Sequence, residues 1–565
     1  MKLSPWKKGG LLYGLVLLAI ILEANARNSN LWSQSQRTSL EKLQFNKKHE
    51  VLNRDKGHAI DVDLRGGGKA VAKSESEKKS WFPIYKSELP QFIYLSVMMF
   101  LIIYVYTTVR DTKDTLVVSN CGAESIPFLK MYGVTPCALL FIVFYSKMST
   151  VLSKQALFYT TLMPFFIFYT VFAFIMFPNK DILHAGTFVT SIPGLQNIFN
   201  LLKYWSFSLY FIVSELWAST GVPLFFWQIA NDITTMSQAK RFYPLFAVTG
   251  NLAPIMSGKV MSYLVSSQEK SSDGFSITLK KLAMIKGASG VAIAVLYKLI
   301  YHEARKLDVE NLVTKKISKK IKNEDANKKA IKKKEKPSFA ESLALLTNDK
   351  NLRSVAMMVI GYNICIELTE VLWKGILRKV HTTEASYMNY MASFSSKVGC
   401  IAIILQLSAT FIIQKLGWTN ASQLTPIAML ALALPFFIAV MASRYNEELI
   451  PLSTALAIGT WQNIANKVCK YSLFDPLKEM CYISMDPEAK TKGKAAIDVM
   501  GSRIGRSLSA ATQQALVLLT GSILECVPYL AFFYMGTVGL WIAAVKTLGD
   551  MFNDQKSEKK AKAQN

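Results

Sequence analysis

Histidine is nearly missing from this sequence. There are five, His49, His58, His184, His302 and His381, and no two stand at a metal-ligand spacing. Cysteine is scattered: seven residues stand alone, at positions such as Cys121, Cys365 and Cys526, mostly in or beside apolar runs. An odd, dispersed set of this kind fits buried thiols and excludes a disulfide framework. No metal site is expected. A phosphate-binding loop is lacking as well, because "GSRIGRS" at 501–507 does not have the G-x-x-x-x-G-K-[ST] spacing. That argues against an ATP-hydrolysing pump, though not against carrying ATP, and no other enzyme signature is present.

What the chain has is grease. Of its 565 residues 51% are hydrophobic, and the mean hydropathy is +0.24. Recurrent apolar stretches of about 20 residues imply a polytopic, all-α membrane protein with the lipid bilayer as its surroundings. Twelve candidate spans can be drawn: 91–117, 126–145, 157–177, 202–227, 245–266, 282–301, 353–374, 388–413, 424–443, 449–468, 495–519 and 523–546. They divide the chain into a first six-helix half (91–301), a basic central loop (302–352), a second six-helix half (353–547) and a basic tail (548–565), the layout of a transporter built from two related halves. Internal similarity agrees. "WQIAND" at Trp227–Asp232 echoes "WQNIANK" at Trp461–Lys467, "QAK" at Gln238 echoes "EAK" at Glu488, and Asp111 and Asp114 share the acid-x-x-acid spacing of Glu367 and Glu370.

The net charge of +26 is concentrated before Glu88, in the run "KKISKKIKNEDANKKAIKKKEK" (Lys315–Lys336) and in the tail. The run reads as a solvated loop on the positive side of a membrane, so no nucleic-acid partner is expected. Lys147, Lys154, Lys240 and Arg241 place the other basic loops on that same, cytosol-like side; Lys270, Lys280, Lys281, Arg378 and Lys379 fall on the opposite one. At the start, residues 1–26 read as a signal peptide, with a basic region, a short apolar region and "ANA" at Ala24–Ala26, followed by a polar segment (27–90) that is unstructured or a second targeting element. A cleaved signal would put the basic loops in the ER lumen. Three solutions exist: an uncleaved anchor, an overruled charge bias, or passage through the ER to the envelope of a secondary plastid. The sequon at Asn420 offers a glycosylation test of orientation.

Charges inside the spans are the strongest functional signal. Each costs about 2.5–3.5 kcal/mol on insertion scales unless paired or in contact with water. "RDTKDTLVV" begins with Arg110, Asp111, Lys113 and Asp114; the i,i+4 spacing predicts an Arg110–Asp114 pair and leaves Lys113 for a ligand. Glu215 lies in "YFIVSELWAST", far from any loop. "IELTEVLWK" holds Glu367 and an i,i+4 pair, Glu370 and Lys374. "AKTKGKAAIDVMGSRIGRS" brings Lys490, Lys492, Lys494, Asp498, Arg503 and Arg506 to the eleventh span. Lys374 and Lys490 read equally as helix-end charges reaching for headgroups. Together the set describes a cavity for a polyanion, with cations replacing the hydration of phosphate oxygens and carboxylates pairing with them or carrying a coupling proton. Tyr204, Trp205 and Trp217 either stack on a base or pack between helices.

The motifs "RDTKDTLVV", "IPFLKMYGVTP", "AKRFYPLF", "LFDPLKEMCYI" and "KGKAAIDVMGSRIGRS", in order between Gln91 and Asp550, resemble those of the plastid and bacterial-parasite type nucleotide transporters, the ADP/ATP translocases distinct from the mitochondrial carriers. The signal-bearing start looks most like diatom members. The resemblance implies a major-facilitator-like fold and ATP/ADP counter-exchange, or proton-coupled uptake, of nucleotides as substrates. It also implies transport roles for Lys113, Glu215, Glu370 and Lys492 or Lys494. "RSLSA" stands where the family often has Lys-Ser-Gly-Gly, and Arg27 replaces the aromatic residue expected after cleavage in diatom plastid precursors. The first leaves the preferred nucleotide open; the second leaves an endomembrane location open. A facilitator for another organic anion, such as a sugar phosphate, is the alternative function, and a scaffold using the basic loop a third. Coupling ion, direction and oligomeric state are not fixed by the sequence.

Overall fold

The structure is a computed structural model. It describes residues 84–85, 88–184, 186, 195–268, 271, 273–319, 349–446, 448, 450–483, 497 and 501–564. Among the described residues there is no strand, and eight continuous helices are long and apolar enough to cross a bilayer, one of them the run Glu384–Tyr445 that a kink divides into two. In chain order the long helices are α1 (Leu89–Cys121), α2 (Ser125–Val151), α3 (Lys154–Met176), α4 (Trp205–Ile233), α5 (Met236–Ser267), α6 (Gly274–Lys319), α7 (Lys350–Val380), α8 (384–416), α9 (418–445), α10 (Leu452–Cys469), α11 (Ser502–Thr520) and α12 (Val527–Gln564). α8 and α9 run on from one another but break at Gly417, whose φ of 75° an L side chain rarely adopts.

Local chemistry sets the ends. Pro90 opens α1, where its missing N–H is no loss. Thr235 and Gln238 form a capping box that starts α5 at Met236, well ahead of the expected span 245–266. Asp349 caps α7 by accepting from the Asn351 and Leu352 amides. Past its apolar stretch α6 continues to Lys319, so the start of the expected basic loop is helical, and α12 continues through the tail. The signal region, most of the polar segment 27–90, and residues 320–348 lie outside the described residues.

α5, α10 and α11 fall outside the apolar eight because they carry polar side chains toward other helices. On α10, Thr460, Gln462, Asn463 and Asn466 are buried. Trp373 of α7 donates to Thr460 at 3.0 Å, and Gln462 and Asn466 donate to Thr369 of α7 at 3.2 and 3.3 Å. Such bonds act as glue between membrane helices. α1 and α7, the first helix of each half, are the most enclosed: 61% and 72% of their apolar windows are buried, against 22–44% for the other apolar helices.

The two halves meet through small residues and a polar seal. α5 packs on α8 so closely that a Cβ on Gly258 would overlap the Ala392 carbonyl and Ser396 Oγ, and one on Gly399 would come within 2.9 Å of the Asn251 carbonyl. At the carboxyl end of α1, Arg378 of α7 donates to the Val118 carbonyl, Asn120 donates to Glu384 at 2.8 Å, and Glu124 accepts from the Ile523 amide at 3.4 Å. Arg378, which counted against the charge-based orientation, is thus engaged in the seal. The proposed Trp227–Trp461 repeat is not matched in depth. Trp227 ends the π-helical segment Gly221–Trp227 near the exit of α4, whereas Trp461 lies at the middle of α10, ahead of the π-helical segment Lys470–Phe474.

Candidate functional site

The charges of α1 sit close to the helix's carboxyl end, and the structure links them into a chain that crosses between halves. Glu215 of α4 pairs with Lys113 of α1 at 3.0 Å. Lys113 pairs with Asp114 at 2.9 Å, Asp114 Oδ2 with Lys374 of α7 at 2.9 Å, Lys374 with Glu370 at 3.0 Å, and Glu370 with Lys467 of α10 at 3.3 Å. Cation and acid alternate throughout, three of each, so the chain is neutral as it stands. Its middle is dry: the side chains of Asp114, Lys374 and Lys113 are 1%, 4% and 5% exposed. Toward its ends it is wetter, with Glu215 at 25%, Glu370 at 16% and Lys467 at 15%. Lys113 Nζ also lies 3.7 Å from the centre of the Phe211 ring, a cation–π contact on the side away from water.

Two further links tie the halves beside this chain. Lys130 of α2, in the π-helical segment Leu129–Val134, pairs with Glu367 of α7 at 2.6 Å. Arg110 pairs with Asp111 at 2.9 Å, and both bond Ser395 of α8, which receives from Arg110 at 2.7 Å and donates to Asp111 at 2.5 Å. Glu215 and Glu370 are both electrostatic neighbours of Lys130, and the Tyr106 hydroxyl neighbours Lys467, Glu215 and Tyr471.

Several expectations are corrected. Arg110 bonds Asp111 rather than Asp114, because Asp114 is taken by two lysines. Lys113 does not stand unpaired but is held by two acids. Lys374 is buried in the chain and does not reach headgroups. The Glu370–Lys374 pair stands as expected. Arg503 and Arg506 on α11 do not join the chain: Arg506 donates to Asn363 of α7 at 3.2 Å, and neither arginine has an ion pair among the described residues. Lys490, Lys492, Lys494 and Asp498 lie outside the described residues. The aromatics pack: Trp217 is clasped edge-on by Phe165 and Phe166, Tyr204 stacks on Phe207, and Trp205 donates to the Leu183 carbonyl at 3.0 Å. A small groove lined by Lys154, Asp232, Tyr297 and Tyr301 holds no member of the chain.

Sequence reasoning missed Lys130, Lys467 and Ser395. Lys130 was visible as a lone cation within "IPFLKMYGV", but Lys467 looked like part of a polar repeat. It also missed Lys286 of α6, which is 2% exposed. Lys286 donates to the Tyr210 hydroxyl at 2.9 Å and faces the Tyr169 ring at 4.9 Å, with no carboxylate pair among the described residues. Replacing a buried ammonium that has no carboxylate partner by an apolar side chain of similar length removes its desolvation cost. Lys286→Met is therefore expected to be about 1–4 kcal/mol more stable, read as a higher Tm of the detergent-purified protein; a lower Tm would contradict this.

A chain of buried ion pairs at the junction of two helical halves is what the family comparison now meets. The family model described as "TLC ATP/ADP transporter" matches residues 69–552. This chain belongs to the TLC ATP/ADP transporter family. ADP,ATP carrier protein 1, chloroplastic, of Arabidopsis thaliana is 36% identical over 516 residues, covering 88% of this chain and 80% of the relative. ADP,ATP carrier protein 1 of Chlamydia pneumoniae is 35% identical over 499 residues, covering 85% and 94%. Among solved structures, a bacterial homologue of the iron transporter ferroportin in an inward-facing state aligns over 81% of this chain and 98% of its own, at 12% identity and a TM-score of 0.49. A D-xylose–proton symporter aligns over 81% and 97%, at 12% identity and 0.48. In this TLC family member every residue of the ionic chain falls inside the matched region.

Proposed function

We propose that this membrane protein exchanges ATP for ADP by alternating access, with its two helical halves moving against each other in a major-facilitator-like manner around the charge chain. The observation that carries the reading is the neutral, alternating chain from Glu215 to Lys467, which links α4 and α1 to α7 and α10. A multiply charged phosphate tail can replace Glu215 on Lys113 and so exchange one set of charge-assisted bonds for another. Without such an anion the cations remain satisfied by protein acids, which limits the cost of the empty site. Plastid-type relatives at 36% identity support a plastid envelope as the destination, reached through the ER if the signal region acts as read.

The test is uptake of labelled ATP into proteoliposomes preloaded with ADP. Uptake that requires internal ADP, and that excess unlabelled ATP suppresses while a sugar phosphate does not, is the expected result. No uptake of any ribo- or deoxyribonucleotide would overturn the reading. Because ATP⁴⁻ for ADP³⁻ moves one negative charge, an imposed potential is expected to change the initial rate; a rate indifferent to potential would exclude that stoichiometry. Lys113→Gln is expected to abolish uptake while protein remains in the membrane, and unchanged kinetics would clear Lys113 of any part in transport.

A further inference from the structure

The chain has an internal logic that the individual pairs conceal. In the first half, a cation on the first helix (Lys113, α1) pairs with an acid on the fourth (Glu215, α4). In the second half, an acid on the first helix (Glu370, α7) pairs with a cation on the fourth (Lys467, α10). The two fourth-helix charges also share a local setting. Glu215 lies ahead of the π-helical segment Gly221–Trp227, and Lys467 lies ahead of the π-helical segment Lys470–Phe474. Such π segments are rare and concentrate at functional sites. The halves thus present the same device with its signs reversed: one lysine and one acid, joined between the first and fourth helices.

We propose that Lys467 is a second phosphate-holding cation, the counterpart of Lys113 in the opposite half, and that Glu370 is its resident stand-in for phosphate. The proposal rests on the exchange of nucleotides set out above and concerns how the polyphosphate is gripped. Lys467 is among the wetter members of the chain. Tyr106, on α1 of the other half, has both Lys467 and Glu215 within electrostatic reach, so both ends of the chain come near one side chain. Glu370 does not depend on Lys467, because Lys374 holds it at 3.0 Å. A phosphate can therefore take Lys467 while Glu370 stays paired. At the other end Asp114 holds Lys113 when Glu215 is displaced.

A consequence is selection by the number of phosphates. One grip per half means that a di- or triphosphate tail binds both halves at once, while a monophosphate engages one lysine and leaves the other with its acid. The anion then does what a transported substrate must do in alternating access: it interacts differently with the joined and separated halves.

The test is equilibrium binding of ATP, ADP and AMP to the purified full-length protein, with exchange measured in parallel. Lys467→Gln is expected to weaken ATP and ADP binding by about tenfold or more, with AMP changed by less than about threefold, a difference of ~0.7 kcal/mol or more between classes. Lys467→Arg is expected to keep most of the ATP affinity, since the guanidinium also binds phosphate. Glu370→Gln provides a reading of opposite sign: with the competing acid gone, ATP is expected to bind more tightly even as turnover falls. Equal losses for all three nucleotides in Lys467→Gln, or no loss, would overturn the proposal. Should Lys467→Gln not fold, unchanged or weaker ATP binding in Glu370→Gln would overturn it. Wild-type protein that exchanges no nucleotide sinks the functional reading itself; wild-type exchange with an indifferent Lys467→Gln sinks only this inference.

Discussion

Asp114→Asn is expected to cost this protein a large part of its stability, and Asp114→Asn with Lys374→Met to recover most of it without recovering transport. Asp114 is 1% exposed and sits between two ammonium groups, each at 2.9 Å. Neutralising it leaves Lys113 and Lys374 facing each other in a dry interior. Loss of one partner from a buried pair typically costs about 3–5 kcal/mol. The lower end applies here, because Glu215 and Glu370 still hold the two lysines at 3.0 Å. Taking away the Lys374 charge as well removes the repulsion, so the two substitutions should be strongly non-additive. The measurement is Tm in detergent for the wild type, both single variants and the double variant. An unchanged Tm in Asp114→Asn would mean that the centre of the chain contributes nothing to the fold.

Gly258→Val is expected to leave a protein that inserts but exchanges at about one-hundredth of the wild-type rate or less, equivalent to ~2.7 kcal/mol on the barrier. A Cβ at Gly258 meets the carbonyl oxygen of Ala392, which is backbone and cannot swing aside like a side chain. The whole of α8 must retreat from α5, and the seal at the end of α1 would loosen with it. Gly399→Val attacks the same contact from α8, against the Asn251 carbonyl. Gly287→Ala on α6 is the control, since a Cβ there meets nothing within 4 Å. Exchange is compared per reconstituted protein. Wild-type exchange by Gly258→Val would show that transport never requires the halves to approach this closely.

The helices were legible because a bilayer demands long apolar runs, and the buried charges because each is expensive in such a run. Lys113, Glu215 and Glu370 all emerged on that ground, and all three belong to the chain. Their partners were not legible. Pairing joins helices distant in sequence, and local spacing favoured Arg110–Asp114 over the link from Asp114 to Lys374. Lys467 was hidden for a different reason. It lies on a helix already rich in Gln and Asn, where one more polar residue carries little contrast. Arg378 entered the orientation count as a loop charge because charge counting sees a side chain but not the carbonyl it is bonded to. The start of α5 was misplaced because its first turns are polar and are fixed by a capping box rather than by hydrophobicity.

The central claim is that the charge chain lies on the route of a polyanion. Cysteine substituted for Glu215 or for Lys467, one at a time and with the wild type as background, tests it most directly through the rate of reaction with a charged, membrane-impermeant thiol reagent. Both positions should react, and saturating ATP should slow each reaction by about tenfold while adenosine, which lacks phosphates, should not. If neither cysteine can be reached from water, or if ATP and adenosine act alike, the chain is a structural tie and not the place where nucleotide passes.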